Sequence, residues 1–213
     1  MSKNNESNLN TRILVCDDNE AIHKDFLKVL NTAADKKHQI DYLEEQLFED
    51  EVDELGQRFT DPYQEIHFKI DSAYQGQDGL QMAEKAAAEG EPYSIIFMDV
   101  RMPPGWDGVL TAEKIWEKFP FTEIVIVTAY SDYTWDDMID KLGFNTRLLF
   151  IKKPFDTLTV KQLALNLINK WNTREQARKQ LTQLKTDVED STPSSSNLVI
   201  DDFQTLSDTI DKI

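Results

Sequence analysis

The chain has 213 residues, of which 40% are hydrophobic, and carries 39 acidic against 23 basic side chains for a net charge of −16. That size supports one ordinary core with an appendage. So acidic a balance excludes general nucleic-acid binding and docking on an anionic membrane, because both need lysine and arginine in excess. One cysteine, Cys16, excludes an internal disulfide and any cysteine-cluster metal site. No apolar run approaches a membrane span, and Met1–Asn10 lacks the apolar core of a signal peptide, so a cytoplasmic location is expected.

Five apolar or β-branched blocks read as strands in chain order: Arg12–Cys16, Ile66–Tyr74, Tyr93–Met98, Glu123–Thr128 and Arg147–Ile151. The first, third and fourth are nearly continuous apolar runs, the pattern of strands covered on both faces. Helical spacing separates them at Glu20–Leu30, Asp78–Glu89, Asp107–Phe119, Tyr133–Leu142 and from Thr157 onward. Strand alternating with helix predicts an α/β fold with a doubly wound, five-stranded parallel sheet.

Two stretches fall outside that alternation. Residues 31–65 hold eleven acidic side chains against Lys36, Lys37 and Arg58, a net −8 and half the charge of the whole chain. Leu43, Leu47, Val52 and Leu55 recur there at near-helical spacing, so an acidic helical insert is expected after the first helix. Past the domain, Val160, Leu163, Leu167, Lys170, Arg174, Ala177, Leu181, Leu184 and Val188 step by threes and fours. This predicts an extended last helix that continues over 172–190 as a short coiled coil. The expected organisation is a flexible N-terminus over 1–11, one domain over 12–171, the helix extension, a linker over 191–197 and an amphipathic tail over 198–213.

Ligands of open parallel sheets bind beyond the carboxyl ends of the strands. The first strand ends in Asp17 and Asp18, the third in Asp99, the fourth in Thr128, and the fifth runs into Lys152 and Lys153. Three carboxylates repel one another, and a hard dication held by oxygen ligands relieves that repulsion, which suits Mg²⁺. A carboxylate can attack a phosphoryl group, while a metal, a lysine and a hydroxyl neutralise the phosphoryl oxygens. Phosphoryl transfer to a carboxylate is the chemistry that uses this set.

The residues LVCDDN at 14–19, MDVRMPPGWDG at 98–108, Val127-Thr128-Ala129 and KKPF at 152–155 occur in the order that resembles the receiver (CheY-like) domains of two-component response regulators. The likeness runs from Arg12 to about Trp171, the insert excepted. It implies a flavodoxin-like sheet of order 2-1-3-4-5. It further implies Asp99 as phosphoacceptor, Asp18 as a direct Mg²⁺ ligand with Asp17 assisting, and the backbone carbonyl of Arg101 as a further ligand. Thr128 and Lys153 would bind the phosphoryl group, Phe150 would be the switch aromatic, and Lys153–Pro154 a candidate cis peptide. Strand alternation lets only one of Lys152 and Lys153 point into the site.

The same resemblance implies a histidine kinase or phosphotransfer protein as donor and a downstream output protein or homodimer as readout. It implies no enzymatic activity beyond self-phosphorylation and slow autodephosphorylation. The loop after Asp99 is one residue longer than usual. Arg101 and Tyr130 occupy the positions that tune phosphoryl lifetime, and their bulk predicts a long-lived acyl phosphate. Two other readings remain. An aspartyl-nucleophile phosphohydrolase would want a second Asp two residues after the first, where Asn19 stands. A scaffold that takes no phosphate would have no use for Asp18, Asp99, Thr128 and Lys153 together. His23, His38 and His67 lie in unrelated segments and read as packing or surface residues, and Cys16 as an inert buried thiol.

Overall fold

The computed structural model describes residues 9–31, 66–129, 140–143 and 146–191. Its elements are β1 (Arg12–Cys16), α1 (20–31), β2 (Lys69–Ala73), α2 (Gly76–Ala88), β3 (Ile95–Asp99), α3 (Gly108–Lys118), β4 (Glu123–Thr128), β5 (Leu148–Lys152) and a long helix, Thr157–Ser191. The five strands form a parallel sheet in the order β2-β1-β3-β4-β5. This is the doubly wound α/β arrangement that the alternating pattern predicts.

The alternation of side chains along each strand divides the core into two. Leu14, Ile96, Met98, Ile124 and Ile126 face α2 and α3, where Ala83, Ala86, Ala112 and Ile115 meet them. Ile13, Val15, Ile95, Phe97, Val125 and Val127 face Phe26 and Leu30 of α1 and Val160, Ala164, Leu167 and Ile168 of the long helix. With helices on both faces, every residue of β3 and β4 is buried, which accounts for their nearly continuous apolar runs. β2 is different. It lies at the sheet edge, buries only Ala73, and is shorter than the block Ile66–Tyr74 predicted.

Local signals fix the helix ends. The Asp107 carboxylate caps α3 by accepting from the Leu110 amide at 2.7 Å. Asp156 accepts from the Thr159 amide at 2.9 Å and caps the long helix. α2 stops at Gly90, whose φ of +78° closes the last turn as its amide bonds the Ala87 carbonyl at 3.1 Å. The first turn of α3 requires glycine for a different reason: a Cβ on Gly108 would lie 2.0 Å from the Asp99 carbonyl oxygen.

Contacts also extend past both ends of the sheet's framework. Order reaches upstream of β1, because the Asn10 amide donates to Asn172 Oδ1 at 2.8 Å and the Asn10 side chain donates to the Pro92 carbonyl at 2.7 Å. The long helix runs to Ser191. Lys170 and Arg174 reach back to Glu123, the first residue of β4, at 3.4 and 3.3 Å, and Glu123 is 0% exposed. The helix therefore packs on the domain beyond Trp171, which is itself buried. The acidic insert, most of the segment Tyr133–Leu142, the linker and the tail lie outside the described residues.

Candidate functional site

Because β1 and β3 are adjacent while their following helices cover opposite faces, the strand order reverses between them. The carboxyl ends of these two strands, flanked by β4 and β5, form the crevice. Asp17 and Asp18 follow β1, Asp99 ends β3, Thr128 ends β4 and Lys153 follows β5. The register places Asp99 beside Val127 and Thr128 beside Lys152, and the Lys153 amide bonds the Thr128 carbonyl at 2.8 Å.

Side chains converge there. One carboxylate oxygen from each of Asp17, Asp18 and Asp99 lies within 4.8 Å of the others. Lys153 Nζ donates to Asp17 Oδ2 at 2.6 Å and to Asp99 Oδ1 at 2.5 Å. The second oxygen of Asp99 accepts from the Arg101 amide at 2.8 Å, and Asp17 Oδ1 accepts from the Asn19 amide at 2.9 Å. Asp17 and Asp99 are buried, while Asp18 is exposed at the mouth. Thr128 is buried and its hydroxyl donates to the Ala129 carbonyl at 2.9 Å. Lys152 is exposed, as strand alternation requires.

Burial pushes the Asp99 carboxyl up from its ordinary value, and Asp17 pushes the same way; the bonds from Lys153 and the Arg101 amide only partly oppose this. Burial pulls Lys153 down, but its bonds to Asp17 and Asp99 outweigh that, and its pKa lies above the ordinary lysine value. The site is thus a poised one: a carboxylate whose charge is costly, held beside a firmly protonated amine. Three oxygen donors gathered around a partly exposed mouth fit a hard divalent cation that keeps some of its waters, and Mg²⁺ is such an ion.

Phe150 is half-buried against the α2/α3 core, Arg101 is exposed, and Tyr130 lies outside the described residues. Both Lys153–Pro154 and Pro103–Pro104 are cis. The longer loop after Asp99 has a support that spacing does not reveal. Gln75 Nε2 donates to the Pro103 carbonyl at 3.1 Å, its Oε1 accepts from the Gly105 amide at 3.1 Å, and Gln77 Oε1 accepts from the Trp106 amide at 3.2 Å. The available signal was the place of these glutamines, just past the carboxyl end of β2. His23 is also closer to the site than its segment implied: its Nε2 lies 2.8 Å from the Asp17 backbone oxygen. Cys16 is buried, and burial pushes its thiol far up, in keeping with an inert role.

A profile of the response regulator receiver domain family matches residues 50–164, more than half of the chain. The chain belongs to the response regulator receiver domain family, the domain of two-component signalling. The match begins beyond β1, so the strand that carries Asp17 and Asp18 enters the site through the sheet pairing. The oxygen regulatory protein NreC of Staphylococcus haemolyticus is 38% identical over 64 residues, 26% of this chain and 30% of that protein. NreC of Staphylococcus carnosus matches to the same extent, so the chain spans less than a third of the length of these relatives. A response regulator receiver protein from Sinorhizobium medicae superimposes with a TM-score of 0.51 at 17% identity, covering 76% of this chain and 96% of that one. A CheY-like receiver domain protein from Methanospirillum hungatei does so with a TM-score of 0.50 at 16% identity, over 76% and 97%. These likenesses bear on the fold. Among the described residues no helix is long and apolar enough to cross a membrane.

Proposed function

We propose that this receiver accepts a phosphoryl group on Asp99 from a histidine kinase or phosphotransfer protein, with Mg²⁺ bound. The observation that carries the reading is the double contact of Lys153 Nζ with Asp17 and Asp99, inside a cluster of three carboxylates. Asp18 and Asp99 would hold the metal with the Arg101 carbonyl, Asp17 assisting. When bound, Mg²⁺ would neutralise phosphoryl oxygens as charge develops on them.

An Asp99 oxygen attacks phosphorus as the bond to the donor imidazole breaks, leaving an acyl phosphate, and the imidazole takes up a proton. Lys153 then exchanges its carboxylate contacts for a phosphoryl oxygen, and Thr128 turns its hydroxyl from the Ala129 carbonyl toward another. Phe150 follows inward against the α2/α3 core it already touches. The altered surface changes affinity for an output protein or a second copy, which requires that the partner bind the two states unequally. The chain acts in the cytoplasm as a switch, not as an enzyme with turnover.

Incubation with Mg²⁺ and a small phosphodonor, followed by intact mass measurement, tests the assignment. Wild type is expected to gain one phosphoryl group and Asp99→Asn none. An adduct in both proteins, or in neither, overturns it. Arg101, with Tyr130, is read as slowing attack by water on the acyl phosphate. The adduct is therefore expected to persist for minutes or longer after donor removal, and a half-life of seconds contradicts that role.

A further inference from the structure

α1 turns one face to the core, where Phe26, Val29 and Leu30 are buried among apolar neighbours. His23 lies on the same face, one turn before Phe26, and is only 3% exposed. An imidazole is an uncommon choice for such a position. Its ring rests on Tyr74 with centroids 4.6 Å apart and an interplanar angle of 51°. Nε2 is 2.8 Å from the backbone oxygen of Asp17. A carbonyl oxygen can only accept, so the hydrogen of this bond is on Nε2.

The other ring nitrogen, Nδ1, is buried and has no hydrogen-bond partner among the described residues. Burying an unsatisfied nitrogen costs stability, and an apolar ring of similar size would avoid that cost. What the imidazole adds over such a ring is one N–H, aimed at one oxygen.

That oxygen belongs to the peptide group joining Asp17 to Asp18. The group is planar, and the strand side is already fixed by the Asp17 amide, which bonds the Ala73 carbonyl at 3.1 Å. Holding the oxygen therefore sets where the Cα of Asp18 begins. The Asp17 carboxylate has its own supports in Lys153 and the Asn19 amide. The exposed Asp18 carboxylate makes no hydrogen bond or ion pair within the described residues, so its direction depends on its backbone.

We infer that His23 is a positioning residue for the cation site. By donating from Nε2 to the Asp17 carbonyl it holds the Asp17–Asp18 peptide so that Asp18 faces Asp17 and Asp99. This rests on the reading of those three carboxylates as the Mg²⁺ site. Hydrogen bonds that orient ligands from behind are worth about 10- to 100-fold in metal affinity.

Calorimetric titration of the full chain with Mg²⁺, alongside thermal melts without metal, tests it on wild type, His23→Phe, His23→Leu and His23→Gln. The two apolar variants are expected to bind Mg²⁺ about 10-fold more weakly or worse, with the Phe variant melting no lower than wild type. Glutamine can place an N–H near the position of Nε2, and is expected to restore binding to within about threefold. Wild-type affinity in His23→Phe or His23→Leu overturns the positioning role. So does equal weakening in all three variants in proportion to lowered melting temperatures, which marks a packing role. A wild type that binds no Mg²⁺ overturns the cation-site reading itself, and the titration thus separates the two failures.

Discussion

Replacement of Lys153 by methionine is expected to cost about 3 kcal/mol of folding stability at pH 7 without added Mg²⁺, the lower end of what removing one partner from a buried ion pair costs. The lower end applies because the Lys153 side chain is 22% exposed, whereas those of Asp17 and Asp99 are 2% and 8%. Methionine keeps the apolar stem and deletes the charge, leaving two buried carboxylates facing each other. Burial already pushes the Asp99 carboxyl up, and Lys153 is the main influence opposing it.

The pH dependence has a definite sign. An acid whose folded pKa is raised binds its proton more tightly in the folded state, so stability falls as the pH rises from the ordinary carboxylate range through the raised value. The variant's deficit should therefore shrink between pH 7 and about pH 4. In wild type the stabilisation from Lys153 itself is present below the ordinary lysine value and lost only as the pH rises through its raised one. Urea unfolding at both pH values measures the difference. A deficit that is the same at pH 4 and pH 7 contradicts the electrostatic account, and millimolar Mg²⁺ should recover part of the loss at pH 7.

The second large effect is expected at the amino end of β4, the opposite end of the strands from the site. Glu123 is fully buried, Arg174 is 7% exposed, and Lys170 approaches the second Glu123 oxygen. Arg174 also donates to the Phe121 carbonyl and stacks over the Phe121 ring with its guanidinium carbon 5.4 Å from the centroid. Burial raises the Glu123 pKa more than Lys170, Arg174 and Arg147 lower it. Desolvation therefore exceeds the attraction, as is common for buried pairs. Arg174→Met should cost about 3 kcal/mol by stranding the carboxylate. The double change Glu123→Met and Arg174→Met should return to within about 1 kcal/mol of wild type, since well-packed apolar pairs often replace buried ion pairs without loss. Urea unfolding of the single and double variants provides the comparison. Simple addition of two single losses would show that the residues do not act as a pair.

Most of the sheet and the strand-end site were legible because they depend on short-range patterns. Ile13–Cys16, Ile95–Met98 and Ile124–Val127 are buried on both faces and so read as continuous runs. Asp17, Asp18, Asp99 and Thr128 follow directly from where those runs end, and Lys153 follows the end of β5. Glu123 was illegible as a buried charge because its partners lie 47 and 51 residues away on the long helix. Arg174 instead resembled a flaw in a coiled-coil stripe. The Gln75 and Gln77 contacts likewise join two turns about 30 residues apart. His23 had the correct periodicity for packing, and no local pattern could reveal which carbonyl its nitrogen would meet.

The pairing of β1 with β2 has an entropic consequence. Residues 17–68 intervene before Arg12 and Ile13 can lie beside Lys69 and Ile70, and 34 of them belong to the segment 32–65. Ring-closure cost grows only with the logarithm of length, so lengthening that connection roughly threefold adds about 1 kcal/mol. One buried methylene group offsets about as much. The addition also falls on the edge strand, while β1 is held on its other side by β3. The strand that presents Asp17 and Asp18 can thus carry a large appendage next to it at small equilibrium cost, and the longer search for the β1–β2 register affects the speed of folding more than its outcome.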